Sequence, residues 1–185
     1  MKDWFENQTV ALVGNAESLF HKNFGDEIEN HDVVVRLNKA AMLWTQHHAD
    51  ATHGRRTDVH MVFNIGEYRH RTSDWDPKIR IMHMSKMRQT KQHQALVHHM
   101  FPVSRWEELC ELVGYNNPTT GLMAIEYITS CSPRKLDVYG FDWKETPTFT
   151  DMERKKDPLC HHNFDLERKL CFEHYFKMPN VEWKN

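Results

Sequence analysis

Polar residues stand at the ends of several apolar runs in the first third of the chain. Gly14 and Asn15 follow the first of these runs. Asn38 follows the second run and Asn64 the third. An asparagine amide offers a hydrogen-bond donor and an acceptor without charge, which suits the base, ribose or phosphate of a nucleotide. These residues are therefore candidates for nucleotide binding.

A second candidate lies later in the chain, where the turn-forming segment 117–121 precedes an apolar helical pattern. Its last residues, Thr119, Thr120 and Gly121, are placed to begin that helix. The N–H groups and hydroxyls at a helix start favour a phosphate. Neither GxGxxG nor GxxxxGK[ST] occurs in the sequence, so no glycine-rich phosphate loop of those types is predicted.

Alternating strand and helix patterns must position these residues. Apolar runs rich in β-branched residues predict strands, and apolar residues at helical spacing predict helices. The predicted strands are 9–13, 32–37, 57–63, 78–84, 135–140 and 181–183. The predicted helices are 16–24, with Gly25 as its stop, 104–113, with Ser104 opening a capping box, 122–130 and 164–176. Residues 88–100 are polar with a weak helical pattern.

Strands separated by helix-length segments imply parallel crossovers. The sequence therefore predicts an α/β fold, a Rossmann-like three-layer sandwich with a mainly parallel sheet. Ligands of such sheets bind beyond the carboxyl ends of the strands. Because the three asparagines follow strand ends, we expect them at one edge of the sheet, where they form a nucleotide site with 119–121.

Length and composition set the class of protein. The chain has 185 residues, with 39% hydrophobic and 27% charged residues, which fits one folded domain spanning 1–185. The formal net charge is -2, so the overall charge does not favour nucleic acid or a membrane surface. No apolar run reaches the roughly 18 residues of a membrane span, and the first residues do not resemble a signal peptide.

Cysteine and histidine usage suggests no cofactor. The four cysteines form no CxxC pair, so free thiols and a cytoplasmic location are expected. Fourteen histidines are present, but HExxH is absent and no Cys/His spacing matches a zinc module. Asp74 and Asp76 form a DxD that precedes a proline, which indicates a turn or helix cap. A histidine-rich metal protein is the weakest alternative.

Three groups of segments, in order along the chain, resemble the motifs of a known family. Segment 10–38, with 54–58 and Asn64, is similar to the large motif of the sialyltransferases, glycosyltransferase family 29. Segment 117–121, followed by Cys131 and 138–141, resembles the small motif of that family. His162, with Glu167 five positions later, fits its very short motif.

The resemblance implies a variant of the glycosyltransferase A fold and a CMP-activated sugar donor. It also implies inversion at the anomeric carbon without a metal ion. Asn15, Asn38 and Asn64 would hold the CMP beside Gly14, with Thr119, Thr120 and Gly121 near its phosphate and ribose. His162 would be the general base, since a positioned imidazole can take a proton from a hydroxyl at neutral pH. Glu167 would be a supporting or helix-fixing residue.

The sequence also departs from the family pattern. Animal members pair a cysteine of the large motif with one of the small motif, and Val10 occupies the first of these positions while Cys131 fits the second. No such bridge can form, in agreement with a cytoplasmic protein. The family's third motif, a His-Tyr pair before the very short motif, is not evident, and His161 is the candidate to replace it as a phosphate partner.

Two functions follow from these observations. The first is a CMP-sugar-dependent glycosyltransferase of bacterial or phage type, acting on a glycan or on a hydroxymethylated base of phage DNA. Basic clusters at 69–71, 86–91 and 154–156 would suit a phosphate-rich acceptor, although solvated charge is the commoner explanation. The second is a non-catalytic nucleotide- or glycan-binding module with the same fold.

Overall fold

The computed structural model describes residues 4–38, 50–63, 78–84, 97–146 and 161–184. In these ranges seven strands form one sheet, and every neighbouring pair is parallel. The strands are β1 (Thr9–Val13), β2 (Val33–Leu37), β3 (Val59–Val62), β4 (Arg80–His83), β5 (His99–Met100), β6 (Lys135–Tyr139) and β7 (Val181–Lys184). The six predicted strands are confirmed with small changes at their ends, and β5 is added to them.

The described helices flank the sheet. They are α1 (Gly25–Glu29), α2 (Asp50–His53), α3 (Val103–Leu112), α4 (Thr120–Ser130) and α5 (Phe164–Glu173), with 3-10 turns at Glu17–His21 and Tyr175–Lys177. Successive side chains of a strand point to opposite faces of the sheet. Val10 and Leu12 of β1 accordingly pack in the core that includes residues of α3, α4 and α5, whereas Ala11 and Val13 pack against the α1 side. The predicted three-layer α/β sandwich is confirmed.

Two predictions about helix boundaries are wrong. Segment 16–24 holds only the 3-10 turn Glu17–His21, and Gly25 begins α1 instead of ending a helix. The acidic Asp26 and Glu27 that follow suit a helix start, because its N–H groups carry partial positive charge. Ser104 is not the N-cap of α3. Pro102 occupies that position, and no side-chain cap is formed.

The ends of two other segments also differ from prediction. Helix α5 stops at Glu173, because His174 leaves the helical conformation with φ -122° and ψ -68°. A separate 3-10 turn then buries Tyr175. Within the polar stretch 88–100, His99 and Met100 form strand β5 at the edge of the sheet, while 85–96 lies outside the described residues.

The strand order places a reversal of direction beside β1. The order across the sheet is β5-β4-β3-β2-β1-β6-β7, so the chain runs from β1 toward one edge and resumes on the other side of β1 at β6. Crevices at such switch points, beyond the carboxyl ends of the strands, are the usual ligand sites of open parallel sheets. Val13 at the end of β1 lies opposite Tyr139 at the end of β6, so Gly14 and Gly140 leave the sheet side by side.

A buried histidine ties α1 to strand β6. His31 has Nδ1 2.8 Å from the carbonyl of Glu27 and Nε2 2.9 Å from a carboxylate oxygen of Asp137. Although burial acts to raise it, the pKa of Asp137 lies below its usual range because His31 and the Lys135 ammonium donate to the carboxylate. His31 therefore has a structural role within the large motif.

Candidate active site

A cavity of about 220 Å³ lies at the switch point between β1 and β6. Five segments meet there: the turn after β1, the end of β2, the start of α4, the turn after β6 and the chain that enters α5. The cavity is lined by Gly14, Asn15, Ala16, Leu37, Asn38, Thr119, Thr120, Gly121, Leu122, Ile125, Gly140, Phe141, Asp142, Trp143, Lys144, His162, Phe164, Glu167 and Cys171.

Most of the site residues expected from the sequence meet in this cavity. They are Gly14, Asn15, Asn38, Thr119, Thr120, Gly121, His162 and Glu167. His161 is exposed and does not line it, although its carbonyl accepts a hydrogen bond from the Asn117 N–H at 3.0 Å. Asn64 lies outside the described residues, as do Asp74 and Asp76.

Asn38 is held in a left-handed conformation, with φ 46°, just beyond β2. Its amide oxygen accepts from the Phe63 N–H at 3.0 Å, and its amide nitrogen donates to the Thr120 hydroxyl at 3.3 Å. Its carbonyl lies 2.7 Å from Nε2 of buried His60. Burial lowers the pKa of His60 to about 4, so at neutral pH the neutral ring donates this bond. Asn38 thus links β2, β3 and α4 at the cavity wall.

Glu167 fixes the start of α4. Its carboxylate accepts from the Thr119 N–H at 2.8 Å and from the Thr119 hydroxyl at 2.6 Å. The same hydroxyl caps the helix by accepting from the Leu122 N–H at 3.1 Å. Burial raises the pKa of Glu167 to about 7, against the lowering effect of the two bonds from Thr119. These are the contacts of a residue that positions the helix start.

His162 stands just before α5 with its ring orientation set by the backbone. Its Nδ1 is 2.6 Å from the carbonyl oxygen of Asn117, and because a carbonyl only accepts, Nδ1 carries the proton. In the neutral imidazole the lone pair is then on Nε2, which is the form a general base needs. The Asn163 side chain caps α5 by accepting from the Leu166 N–H at 3.1 Å, which fixes the chain next to His162.

The glycines of the site make room for an aromatic ring. A Cβ at Gly121 would lie 2.6 Å from an edge carbon of Phe141, and one at Gly14 would lie 2.8 Å from the same ring and collide with the Gly140 carbonyl. Side chains at these two positions would displace Phe141 or the turn after β6. This packing explains both glycines, whether or not a bound donor approaches them.

The sequence interpretation missed the turn after β6, which supplies Phe141, Asp142, Trp143 and Lys144 to the cavity. The small-motif resemblance includes Phe141 but assigns it no role. The signal for it in the sequence is the carboxyl end of the predicted strand 135–140, which in a parallel sheet lies at the same edge as the ends of the first three strands.

Three of the four cysteines lie within the described residues. Cys110, Cys131 and Cys171 are buried free thiols, and Cys160 lies outside the described residues. Within the described ranges, no three His, Cys, Asp or Glu side chains are grouped so that they could hold a metal ion. The described helices are all too short or too polar to cross a membrane.

Comparison with solved structures gives related folds. A mammalian sialyltransferase in complex with Gal-beta-1-3GalNAc-ortho-nitrophenol matches with a TM-score of 0.67 at 15% identity, over 99% of this chain and 71% of that one. A variant of the sialyltransferase CstII in complex with CMP, from Campylobacter jejuni, gives 0.64 at 12% identity, over 95% and 80%. The sialyltransferase Cst-I of the same organism gives 0.61 at 13%, over 95% and 75%.

Sequence comparison identifies the family. No curated protein matches the chain. The family model described as glycosyltransferase family 29 (sialyltransferase) matches residues 5–108, which is more than half of the chain. This match covers the large-motif region, and the fold agrees with the solved sialyltransferases. The chain belongs to glycosyltransferase family 29, the sialyltransferase family, and is a glycosyltransferase.

Proposed function

We propose that the protein transfers sialic acid, or another CMP-activated sugar, from a CMP donor to an acceptor hydroxyl, with inversion and without a metal ion. The observation that carries this proposal is the placement of His162 in one cavity with the start of α4, at the switch point of the sheet. The likeness to a CstII structure in complex with CMP supports the choice of nucleotide.

The proposed reaction is a single displacement. Nε2 of His162 takes the proton of the acceptor hydroxyl while the oxygen of that hydroxyl forms a bond to the anomeric carbon. The bond from this carbon to the phosphate oxygen of CMP breaks, and CMP departs with the electron pair. Attack from the face opposite the leaving group inverts the anomeric configuration. The hydrogen bond between Nδ1 and the Asn117 carbonyl stabilises the imidazolium that forms.

The start of α4 is suited to the charge on the leaving phosphate. The N–H groups of Thr120 and Gly121 lie in the first turn of the helix, and no residue that the structure describes accepts a hydrogen bond from them. Such groups, with the helix dipole, favour an anion. CMP departs as a monophosphate, which has less charge to offset than a diphosphate. We therefore expect chelators to leave the reaction unaffected.

A glycan is the acceptor we propose. The similar mammalian sialyltransferase was solved with Gal-beta-1-3GalNAc-ortho-nitrophenol, which supports a sugar hydroxyl as nucleophile. The alternative acceptor, a hydroxymethylated base of phage DNA, depends on the basic clusters at 69–71, 86–91 and 154–156. All three lie outside the described residues, so nothing in the described site favours DNA.

The test is a transfer assay with CMP-sialic acid in the presence of EDTA. We expect release of CMP and a product of inverted anomeric configuration with a galactose-terminated oligosaccharide, and no product with hydroxymethylated DNA. Transfer to DNA would show that the acceptor is wrong. Loss of activity in EDTA that returns with a divalent cation would refute metal independence. CMP binding without turnover of any donor, by a well-folded protein, would favour the non-catalytic binding module.

A further inference from the structure

The turn after β6 is a preformed loop that presents one lysine to the cavity. The Asp142 carboxylate accepts from the N–H groups of Lys144 and Thr146, each at 3.1 Å, and from the Thr146 hydroxyl. Trp143 and Lys144 adopt consecutive left-handed conformations, with φ of 52° and 67°. Such conformations are uncommon for residues other than glycine and persist where the surroundings impose them.

Neighbouring elements hold the same loop from two sides. The Trp143 ring packs 5.4 Å from Phe172 and 5.8 Å from Trp183, measured between centroids. Arg168 of α5 forms an ion pair with Glu145 and places its guanidinium 5.8 Å from the Trp143 ring.

The 3-10 turn after β1 holds the other side, where the Ser18 N–H donates to the Thr146 hydroxyl at 3.4 Å. Trp143, Glu145 and Thr146 are thus held by contacts with the rest of the fold, and Asp142 by bonds within the loop. Lys144 lines the cavity. Because the backbone on both sides of Lys144 is fixed, the side chain of this lysine begins at a defined position beside the cavity.

Charge in the cavity favours an anion near this lysine. Lys144 is the one Lys or Arg among the described residues that line the cavity. Of the two acidic residues there, Asp142 directs its carboxylate into its own loop. Glu167 is bound to Thr119, and because its pKa is raised to about 7 it is only partly ionised at neutral pH.

We propose that the Lys144 ammonium contacts the phosphate of the CMP donor and stabilises the departing CMP, filling the place of the family's third motif. This inference rests on the proposed CMP donor. The geometry that supports it is the position of Lys144 beyond the end of β6, across the switch point from Asn15 and in the same cavity as the first turn of α4. A cation and helix N–H groups would then share the charge of one phosphate.

The test compares CMP with cytidine, which lacks the phosphate, by calorimetry. Wild-type protein should bind CMP more tightly than cytidine. In Lys144→Met the affinity for CMP should fall about 10- to 100-fold, the usual range for a hydrogen bond to a charged group. Its affinity for cytidine should stay within about twofold of wild type, as expected where no contact is lost. Lys144→Arg should keep most of the preference for CMP.

Lys169→Met is the matched control, because Lys169 is exposed on α5 and does not line the cavity. It removes the same charge and should keep wild-type affinity for both ligands. If Lys144→Met is folded and retains the full preference for CMP, the role of Lys144 is refuted while the CMP donor stands. If wild type binds neither ligand, or prefers another nucleotide, both proposals fail. If Lys144→Met and Lys169→Met weaken CMP binding equally, the cause is the overall charge of the protein, and a direct contact between Lys144 and the phosphate is refuted.

Discussion

Replacing His162 with alanine is expected to slow sugar transfer and donor hydrolysis by about 10²- to 10⁴-fold, the range for loss of a general base. The reason is that Nε2, which carries the lone pair when Nδ1 donates to the Asn117 carbonyl, would no longer be present to accept the hydroxyl proton. CMP binding should change little, because the helix start and Asn38 are untouched. Steady-state rates and calorimetry with CMP measure the two effects separately.

His174→Ala is the matched control, since His174 is exposed and outside the cavity. It should retain both activity and CMP affinity. If His162→Ala loses CMP affinity in proportion to its rate, the residue binds the donor and is not the base. If the variant remains as active as wild type, the proton goes elsewhere and the proposed mechanism is wrong.

Glu167→Gln is expected to change how the unfolding free energy of the protein varies with pH. The pKa of this buried carboxyl is raised from 4.5 to about 7 in the folded protein. Between these values the folded state keeps a proton that the unfolded state has released, so this carboxyl's contribution to the unfolding free energy falls as pH rises. The full change is about 3 kcal/mol. Glutamine stays neutral, so from pH 5 to pH 8 the variant should gain about 2.5 kcal/mol of that change relative to wild type.

Urea unfolding of both proteins at several pH values measures this difference. The comparison with wild type matters because a second buried group, His60, has its pKa lowered from 6.5 to about 4. The contribution of His60 to the unfolding free energy is therefore lost as the pH falls from 6.5 toward 4. Its effect opposes that of Glu167 and is the same in both proteins. Glu173→Gln, at an exposed position of the same helix, should show no such trend. A difference between Glu167→Gln and wild type that does not vary with pH would mean that Glu167 is not protonated on folding.

The sequence allowed the fold to be predicted where the signals are local. Runs of β-branched residues fixed strands β1 and β2, and the residues just after them reached the cavity as expected. The start of α4 was predicted for the same reason, because Thr119 and Thr120 follow a turn and precede an apolar helical pattern. The errors at Gly25 and Ser104 concern helix boundaries, which local sequence signals define least sharply.

The missed part of the site depends on contacts that are distant in the sequence. Lys144 reaches the cavity only because β6 pairs with β1, which lies more than 120 residues earlier. No periodicity within either segment shows that pairing. The packing of Phe141 against Gly14 and Gly121 depends on the same adjacency. The sequence alone therefore indicates that Gly14 and Gly121 belong to the site, but not that the Phe141 ring packs against them.

The structure also changes the interpretation of one predicted nucleotide-binding residue. Asn38 was expected to present its amide to a nucleotide, yet its oxygen accepts from the Phe63 N–H and its nitrogen donates to Thr120. An amide nitrogen has a second hydrogen and an amide oxygen a second lone pair, so contact with a donor remains a prediction. The position after a strand end could be predicted from the sequence, but the partners from β3 and α4 could not.

The central claim is that this cavity binds the CMP part of an activated sugar. Thermal unfolding in the presence of CMP, UDP, GDP or ADP tests it most directly, because a ligand of the folded state raises the melting temperature by an amount that increases with the logarithm of its affinity. The account predicts that CMP raises the melting temperature and that the other three nucleotides at the same concentration do not. A larger shift with UDP, or equal shifts with all four nucleotides, would contradict it.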